Sequence, residues 1–276
     1  MWTSILGAAL MIFAAAVQAQ IVEPGGRLVI GYHADARPFS YENESGKPVG
    51  YAVEICQKVV QTAKAEVGLG DERISWVPVT SANRLDLLRK GSIKVLCGEP
   101  VTLSAGKEFS FSMPVFQGGV GALVRADAPA ALLDALARGS GPLPQDQRFA
   151  VVGGSPTQAV ARQQQGAQVT PVKDYAQGVQ AVIERKASVF FADRSVLLDA
   201  VRRNPSFDTL KVMDRRFTTA PVAIALKRGN DDARLAVDRA LSRLYRDGEW
   251  RAIYVKWFGE PDADTVAFFR LSALPE

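Results

Sequence analysis

Residues 77–116 read VPVTSANRLDLLRKGSIKVLCGEPVTLSAGKEFSFSMPVF. Thr80-Ser81 ahead of Ala82-Asn83-Arg84 has the polar chemistry of a helix start, with Ser81 as the expected cap. The apolar run from Ile93 to Cys97 reads as a buried strand, and Gly98 opens a loop of small residues at its carboxyl end. In open α/β sheets, ligands bind outside those ends. The stretch therefore predicts an α/β protein with a binding cleft beside Gly98.

The rest of the chain extends that pattern. Strands are predicted at 28–31, 74–79 and 93–97, with helices at 49–63 and 82–89 between them. The second half repeats the scheme: strands at 149–152, 168–171 and 188–191, and helices at 157–165 and 175–185. Such alternation predicts mainly parallel sheets covered by helices on both faces.

Between the halves lies a glycine-punctuated strand, Phe116 to Val124, and then a polar Gly/Pro-rich loop, Arg138 to Arg148. A later strand, Ala220 to Lys227, precedes helices at 232–246 and 251–258. If it returns beside Gly118 to Val124, the chain crosses twice between two lobes and the crossings form a hinge. The expected division is 20–119 for the first part of lobe 1, 120–221 for lobe 2, and 222–276 for the return to lobe 1.

Length and composition agree with two cores. The chain has 276 residues, 47% hydrophobic and 22% charged, enough apolar material to bury one large core or two smaller ones. Residues 1–19, MWTSILGAALMIFAAAVQA, carry no charged side chain and end in V-Q-A. This reads as an export signal peptide. A single anchoring helix is the alternative, although the stretch is short and interrupted by Thr3, Ser4, Gly7 and Gln18.

Export changes the reading of Cys56 and Cys97. Cys56 sits on the apolar face of the helix at 49–63 and Cys97 ends a strand, so a helix packed on the sheet brings the thiols together. In an oxidising compartment they are a candidate disulfide. The alternative is two separately buried thiols acting as small hydrophobes. Two cysteines and one histidine offer little for a structural zinc site, and no cofactor is implied. The formal charge of +4 is dispersed, with no basic stripe carrying interleaved aromatics, which argues against nucleic-acid binding.

Each half has a polar turn ahead of a helix. In the second, Gly153-Gly154-Ser155-Pro156-Thr157 follows a strand, with Ser155 as the expected N-cap and Pro156 as the first helical residue. Free N–H groups at such ends suit a carboxylate.

Together, LVIGYHADARPFSYENESGKPVGYAVEIC (28–56), PVTSANRLDLLRKGSIKVLCG (78–98), FSMPVF (111–116), FAVVGGSPT (149–157), VKDYAQG (172–178), FFADRSVLLDA (190–200) and LSRLYRDGEWRAIYVKWFG (241–259) carry a family pattern. The chain resembles the periplasmic solute-binding proteins of amino-acid ABC transporters, extracellular family 3, and within them the glutamate/aspartate-binding branch. The resemblance implies a type II periplasmic-binding-protein fold, two α/β lobes joined by a two-strand hinge. It also implies a small polar solute, a membrane permease as partner, a monomer, and a periplasm of Gram-negative type.

It assigns site residues too. Phe39 covers the ligand from lobe 1, where the alternative is a turn-closing core residue. Ser81 and Arg84 are contacts, Arg84 holding a distal carboxylate, with a solvated helix charge as the alternative. Ser155 contacts the α-carboxylate, or is a plain cap, and Tyr175 stands where the branch often has a histidine. Asp193 receives the α-ammonium, or caps the helix beginning near Ser195. Thr102 lies in the contact stretch after Cys97-Gly98.

The departures from the pattern are informative. Ala105 occupies the position of the arginine that clamps the α-carboxylate, and Lys107 reaches in only if the loop is rerouted. His33 replaces another arginine, as a ligand contact or as a structural hydrogen-bond partner, with Asp35 as a neighbouring acid. The expected function is capture of a small polar amino acid or related amine-containing acid for import, without catalysis. Competing readings are a receptor for a membrane sensor and an enzyme similar to the cyclohexadienyl dehydratases, with Asp193 or Glu99 as its acid.

Overall fold

A computed structural model describes residues 26–67, 70–138, 144, 146–163 and 167–275. The expected signal peptide lies outside the described residues, as do most of the 138–148 loop and the end of the helix expected at 157–165.

In chain order, β1 (Leu28–His33), the hairpin strands β2 (Asp35–Ala36), β3 (Ser40–Glu42) and β4 (Pro48–Val49), α1 (Tyr51–Val67), β5 (Ile74–Val79), α2 (Arg84–Lys90), β6 (Val95–Pro100) and β7 (Phe109–Gly118) begin the molecule. Next come β8 (Val120–Arg125), α3 (Ala130–Arg138), β9 (Gln147–Val152), α4 (Thr157–Arg162), β10 (Ala167–Val172), α5 (Tyr175–Ile183), β11 (Val189–Asp193), α6 (Arg194–Arg203) and β12 (Leu210–Val212). The chain closes with β13 (Ala220–Lys227), α7 (Asp231–Arg246), α8 (Glu249–Phe258) and α9 (Ala263–Ser272).

These elements build two mixed five-stranded sheets, ordered β5-β1-β6-β13-β7 and β10-β9-β11-β8-β12. Strands β5, β1 and β6 run parallel, whereas β13 pairs antiparallel with β6 and β7. In the second sheet β10, β9 and β11 are parallel, and β8 is antiparallel. Each sheet is apolar on both faces: α1, α7, α8 and α9 cover one side of the first and α2 the other, while two further clusters flank the second. This is the type II periplasmic-binding-protein arrangement, two α/β lobes linked by connecting strands.

The segment Phe116 to Val124, expected as one strand, is two strands in different sheets, broken at Gly119. The reason is a close backbone crossing. A Cβ on Gly119 would lie 2.3 Å from the carbonyl oxygen of Thr218 on the returning connection, so only glycine fits. Phe217 N–H donates to Val120 O at 2.7 Å, which holds the two crossings side by side.

Cys56 of α1 and Cys97 of β6 form a disulfide with Cα atoms 6.1 Å apart and a sequence separation of 41. The chain-entropy estimate for a loop of that length is about 4 kcal/mol of stabilisation. Gly98 follows with φ of +78°, and a Cβ there would stand 2.8 Å from that of Ala52. The bridge and the glycine together press α1 against the strand end that leads into the cleft.

Candidate functional site

The carboxyl ends of β1 and β6 face the turn after β9 and the end of β11, and between them lies a cavity of about 60 Å³. His33, Phe39, Ser81, Arg84, Ser155, Tyr175 and Asp193 all line the cavity; Thr102 does not.

The first-lobe wall is an ion pair. Arg84 opens α2 and is 3% exposed; Glu99, between the cavity-lining Gly98 and Pro100, is 1% exposed. Arg84 Nε donates to Glu99 Oε2 at 2.7 Å and Nη2 to Oε1 at 2.9 Å, a bidentate clasp. Arg84 Nη1 donates to the carbonyl oxygens of Ser81 and, across the cleft at 3.2 Å, of Gly154. Burial pushes the Glu99 carboxyl up, but the pull of His33 and Arg84 outweighs it and leaves it below the usual range. Arg84 is therefore no solvated helix charge.

His33, at the end of β1, puts Nε2 3.7 Å from Glu99 Oε2, at ion-pair rather than hydrogen-bond range. Its close acid is thus Glu99, whereas Asp35 was the neighbour expected from sequence. Its Nδ1 is buried without a hydrogen-bond partner, beside the cavity that the ring lines.

The second-lobe wall is built differently. Asp193 ends β11 and caps α6: Oδ1 accepts from Ser195 N–H at 2.8 Å and Oδ2 from Gly119 N–H at 3.0 Å. Burial pushes its carboxyl above the ordinary 3.8, although N–H donors from Gly119, Ser195 and Val196 pull the other way. Among the described residues no Lys or Arg forms an ion pair with it; the one cation felt there, Arg216, acts at longer range. Tyr175, first residue of α5, is raised above its usual value by burial and then by the charges of Asp35 and Asp193.

Phe39 serves both readings that the sequence left open. It lines the cavity, and it packs edge-on to Phe116 with ring centroids 4.7 Å apart, inside a cluster with Tyr51 and Phe258. The expected caps are corrected. Asn83, not Ser81, precedes α2, and its side chain accepts from Thr80 N–H at 2.8 Å, which closes the turn and leaves the Ser81 hydroxyl out of capping. Ser155 does not cap α4 either. Pro156 takes the cap position without a side-chain bond, and Ser155 Oγ donates to Val152 O at 2.6 Å and bonds Thr157 Oγ1 at 2.7 Å. At Ser155 the tight turn offers the hydroxyl nearer partners than the helix N–H, whereas in the first turn the Asn83 side chain takes the bond.

Thr102 Oγ1 accepts from Ala105 N–H at 3.1 Å, which holds a short 3₁₀ turn, Ala105–Lys107. That turn carries Lys107 on the surface, and neither Ala105 nor Lys107 reaches the cavity. Sequence reading named Glu99 only as a candidate acid of the enzyme alternative, not as the partner of Arg84. Its signal was the polar interruption of an apolar strand end, Cys97-Gly98-Glu99-Pro100, next to a helix carrying Arg84. Among the described residues no cluster of His, Cys, Asp and Glu has a metal-binding arrangement.

Two lobes closing on a polar cleft define a protein that encloses a small solute. Residues 28–260 match the bacterial extracellular solute-binding proteins, family 3. The chain belongs to that family, whose members serve as periplasmic binding components of ABC importers. The family is one of solute-binding proteins. The chain is 24% identical to the L-glutamate/L-aspartate-binding protein of Pseudomonas aeruginosa, over 87% of this chain and 79% of that one. Identity to the L-cystine-binding protein of Escherichia coli is 28%, over 86% and 85% of the two chains. A solved arginine-, lysine-, histidine-binding protein of Geobacillus stearothermophilus superposes with a TM-score of 0.74 at 21% identity, covering 87% of this chain and 99% of that one.

Proposed function

We propose that the cleft captures a small polar amino acid or related amine-containing acid by its ammonium group, and that the loaded protein, a monomer, presents it to its permease. The observation that carries this reading is Asp193, a carboxylate on the cavity wall held by N–H donors alone, with no ion-pair partner among the described residues. A half-buried carboxylate with a raised proton affinity gains most from a cation brought in by the solute. An ammonium supplies that charge and up to three donors.

The solute's α-carboxylate then lies toward Ser81, Ser155 and the Nη1 edge of Arg84, where it takes the place of the Gly154 carbonyl. Phe39 supplies the apolar face over the aliphatic part. Lobe 1 comprises residues 20–119 with 222–276, and lobe 2 residues 120–221. Closure is driven by a solute that bonds both walls, since only a ligand with differential affinity shifts the equilibrium between open and closed forms.

Titration calorimetry of purified protein against the twenty amino acids is the test. At least one polar amino acid is expected to bind at micromolar affinity or better, and Asp193→Ala to lose it by about 100-fold or more, with a native circular-dichroism spectrum. Retained affinity in the variant would remove Asp193 as the ammonium receptor.

A further inference from the structure

We propose that Glu99 sets the charge class of the solute: by clasping Arg84 it cancels the cleft's central cation, so that the site admits a solute with one carboxylate and excludes one with two. The inference rests on the amino-acid reading above and goes beyond it by naming which amino acids are rejected.

The geometry supplies the reason. Arg84 has five N–H donors in a planar fork. The Nε and Nη2 edge is taken by both oxygens of Glu99, and the Nη1 edge carries the carbonyls of Ser81 and Gly154. An entering α-carboxylate has only the Gly154 bond to displace, because that carbonyl belongs to the other lobe and withdraws when the lobes part. The fifth donor, the second Nη2 N–H, lies on the Nη1 side of the fork and is used by that same α-carboxylate, so a second carboxylate finds no free edge.

The charges agree with the bonds. Around the cavity Arg84 is balanced by Glu99, and Asp193 and Asp35 remain, the latter close enough to act on Tyr175 and His33. The cleft is therefore acidic apart from any charge on His33, which lies nearest Glu99, and the longer-range pull of Arg216 on Asp193. One ammonium offsets Asp193, but an additional anion meets a surplus of its own sign. Glu99 stands behind the wall, between the lining residues Gly98 and Pro100, and so acts through Arg84 as a positioning and charge-setting residue.

The test compares amino acids that differ by one charge at nearly constant shape: L-glutamate with L-glutamine, and L-aspartate with L-asparagine. Calorimetric affinities are measured for the wild type, Glu99→Gln, and the double variant Arg84→Gln with Glu99→Gln. The wild type is expected to prefer the amide in each pair it binds. In Glu99→Gln, which keeps the shape and frees the cation, acid affinity relative to amide affinity should rise about tenfold or more in at least one pair. A purely structural role for Glu99 would weaken acid and amide together and leave the ratio unmoved, which overturns the proposal. So does a wild type that binds glutamate or aspartate more tightly than the amide.

The double variant covers the case in which Glu99→Gln fails to fold. Removing Arg84 also removes a contact to the α-carboxylate, so acid and amide affinities should both fall in the double variant while their order stays that of the wild type; a rise of acid relative to amide affinity there would show that Glu99 acts without Arg84 and sink the idea. The two readings fail differently. If the wild type binds none of the twenty amino acids, the ammonium reading falls and takes this one with it. If the wild type binds an amino acid but Glu99→Gln leaves both ratios unchanged, only the role of Glu99 is lost.

Discussion

Glu99 and Asp193 are carboxylates near one cleft, supplied by opposite lobes, and their surroundings differ in kind. Glu99 receives two bonds from a buried guanidinium and has a histidine 3.7 Å away. Asp193 receives backbone N–H groups only. Burial raises the proton affinity of both, yet the outcome is lowered for Glu99 and raised for Asp193 because a guanidinium is bonded to the first alone. The lobe 1 carboxylate has its cation within the protein, whereas on the proposed reading the lobe 2 carboxylate takes its cation from the solute. A binding cleft needs this asymmetry. If both walls were satisfied there would be little gain on closure, and if neither were, two uncompensated charges would face one another.

The largest test of that comparison removes the pairing on one side. Glu99→Ala strands a buried guanidinium and should cost about 3–5 kcal/mol of stability, while replacing Arg84 and Glu99 together by Met and Leu should be close to neutral. Urea unfolding of both variants decides it. If single and double variants lose the same amount, the clasp is not what makes the first wall self-sufficient.

Next in size is the support behind that wall. The bridge between Cys56 and Cys97 ties β6 to α1 just before Gly98 and Glu99. Replacing both cysteines by alanine should lower stability by about 2–5 kcal/mol. Solute affinity should fall as well if the bridge also aligns the cleft wall; unchanged affinity would confine it to stability.

The smallest effect, and the sharpest contrast, lies in pH. The raised Asp193 carboxyl contributes stability below its ordinary 3.8 and loses it as pH rises through the higher folded value. Its charged form is nonetheless the one an ammonium needs, so solute affinity falls on acidification and begins to fall above pH 3.8. Glu99 has the opposite sign: its contribution is full above the ordinary 4.5 and is lost as pH falls through its lowered folded value. Acidification should therefore weaken binding before it releases the Glu99 contribution. Calorimetry and thermal melts over about pH 3 to 6 check the order, and simultaneous loss would mean the carboxylates are not differently held.

Much of the fold was legible because it follows from periodicity. The strands Ile74–Val79 and Ala220–Lys227 have the bounds that their apolar runs predict, and α7 and α8 begin within two residues of the expected positions. The hairpin β2–β4 and the 210–212 strand were not legible. They are two or three residues long, too short for a pattern, and exist because a neighbour supplies the other half of each ladder. Helices Ala130–Arg138 and Ala263–Ser272 lie in stretches where no expectation was set. The same divide runs through the site. Asp193 was named through its match to the family's acid, but the partners of Asn83 and Ser155 depended on turns whose course no local signal specified.

From the sequence alone come the alternation of strands and helices and the two-lobed class, because side-chain periodicity and turn chemistry are local properties; most of the residues that meet in the cleft came from the family resemblance. Tertiary structure decided which charges cancel. Arg84 and Glu99 are 15 residues apart and on different elements, and only the packing of α2 against β6 turns their side chains toward each other. Asp193 was left without such a partner for the same reason: electrostatic pairing depends on distance in space, which chain order does not encode.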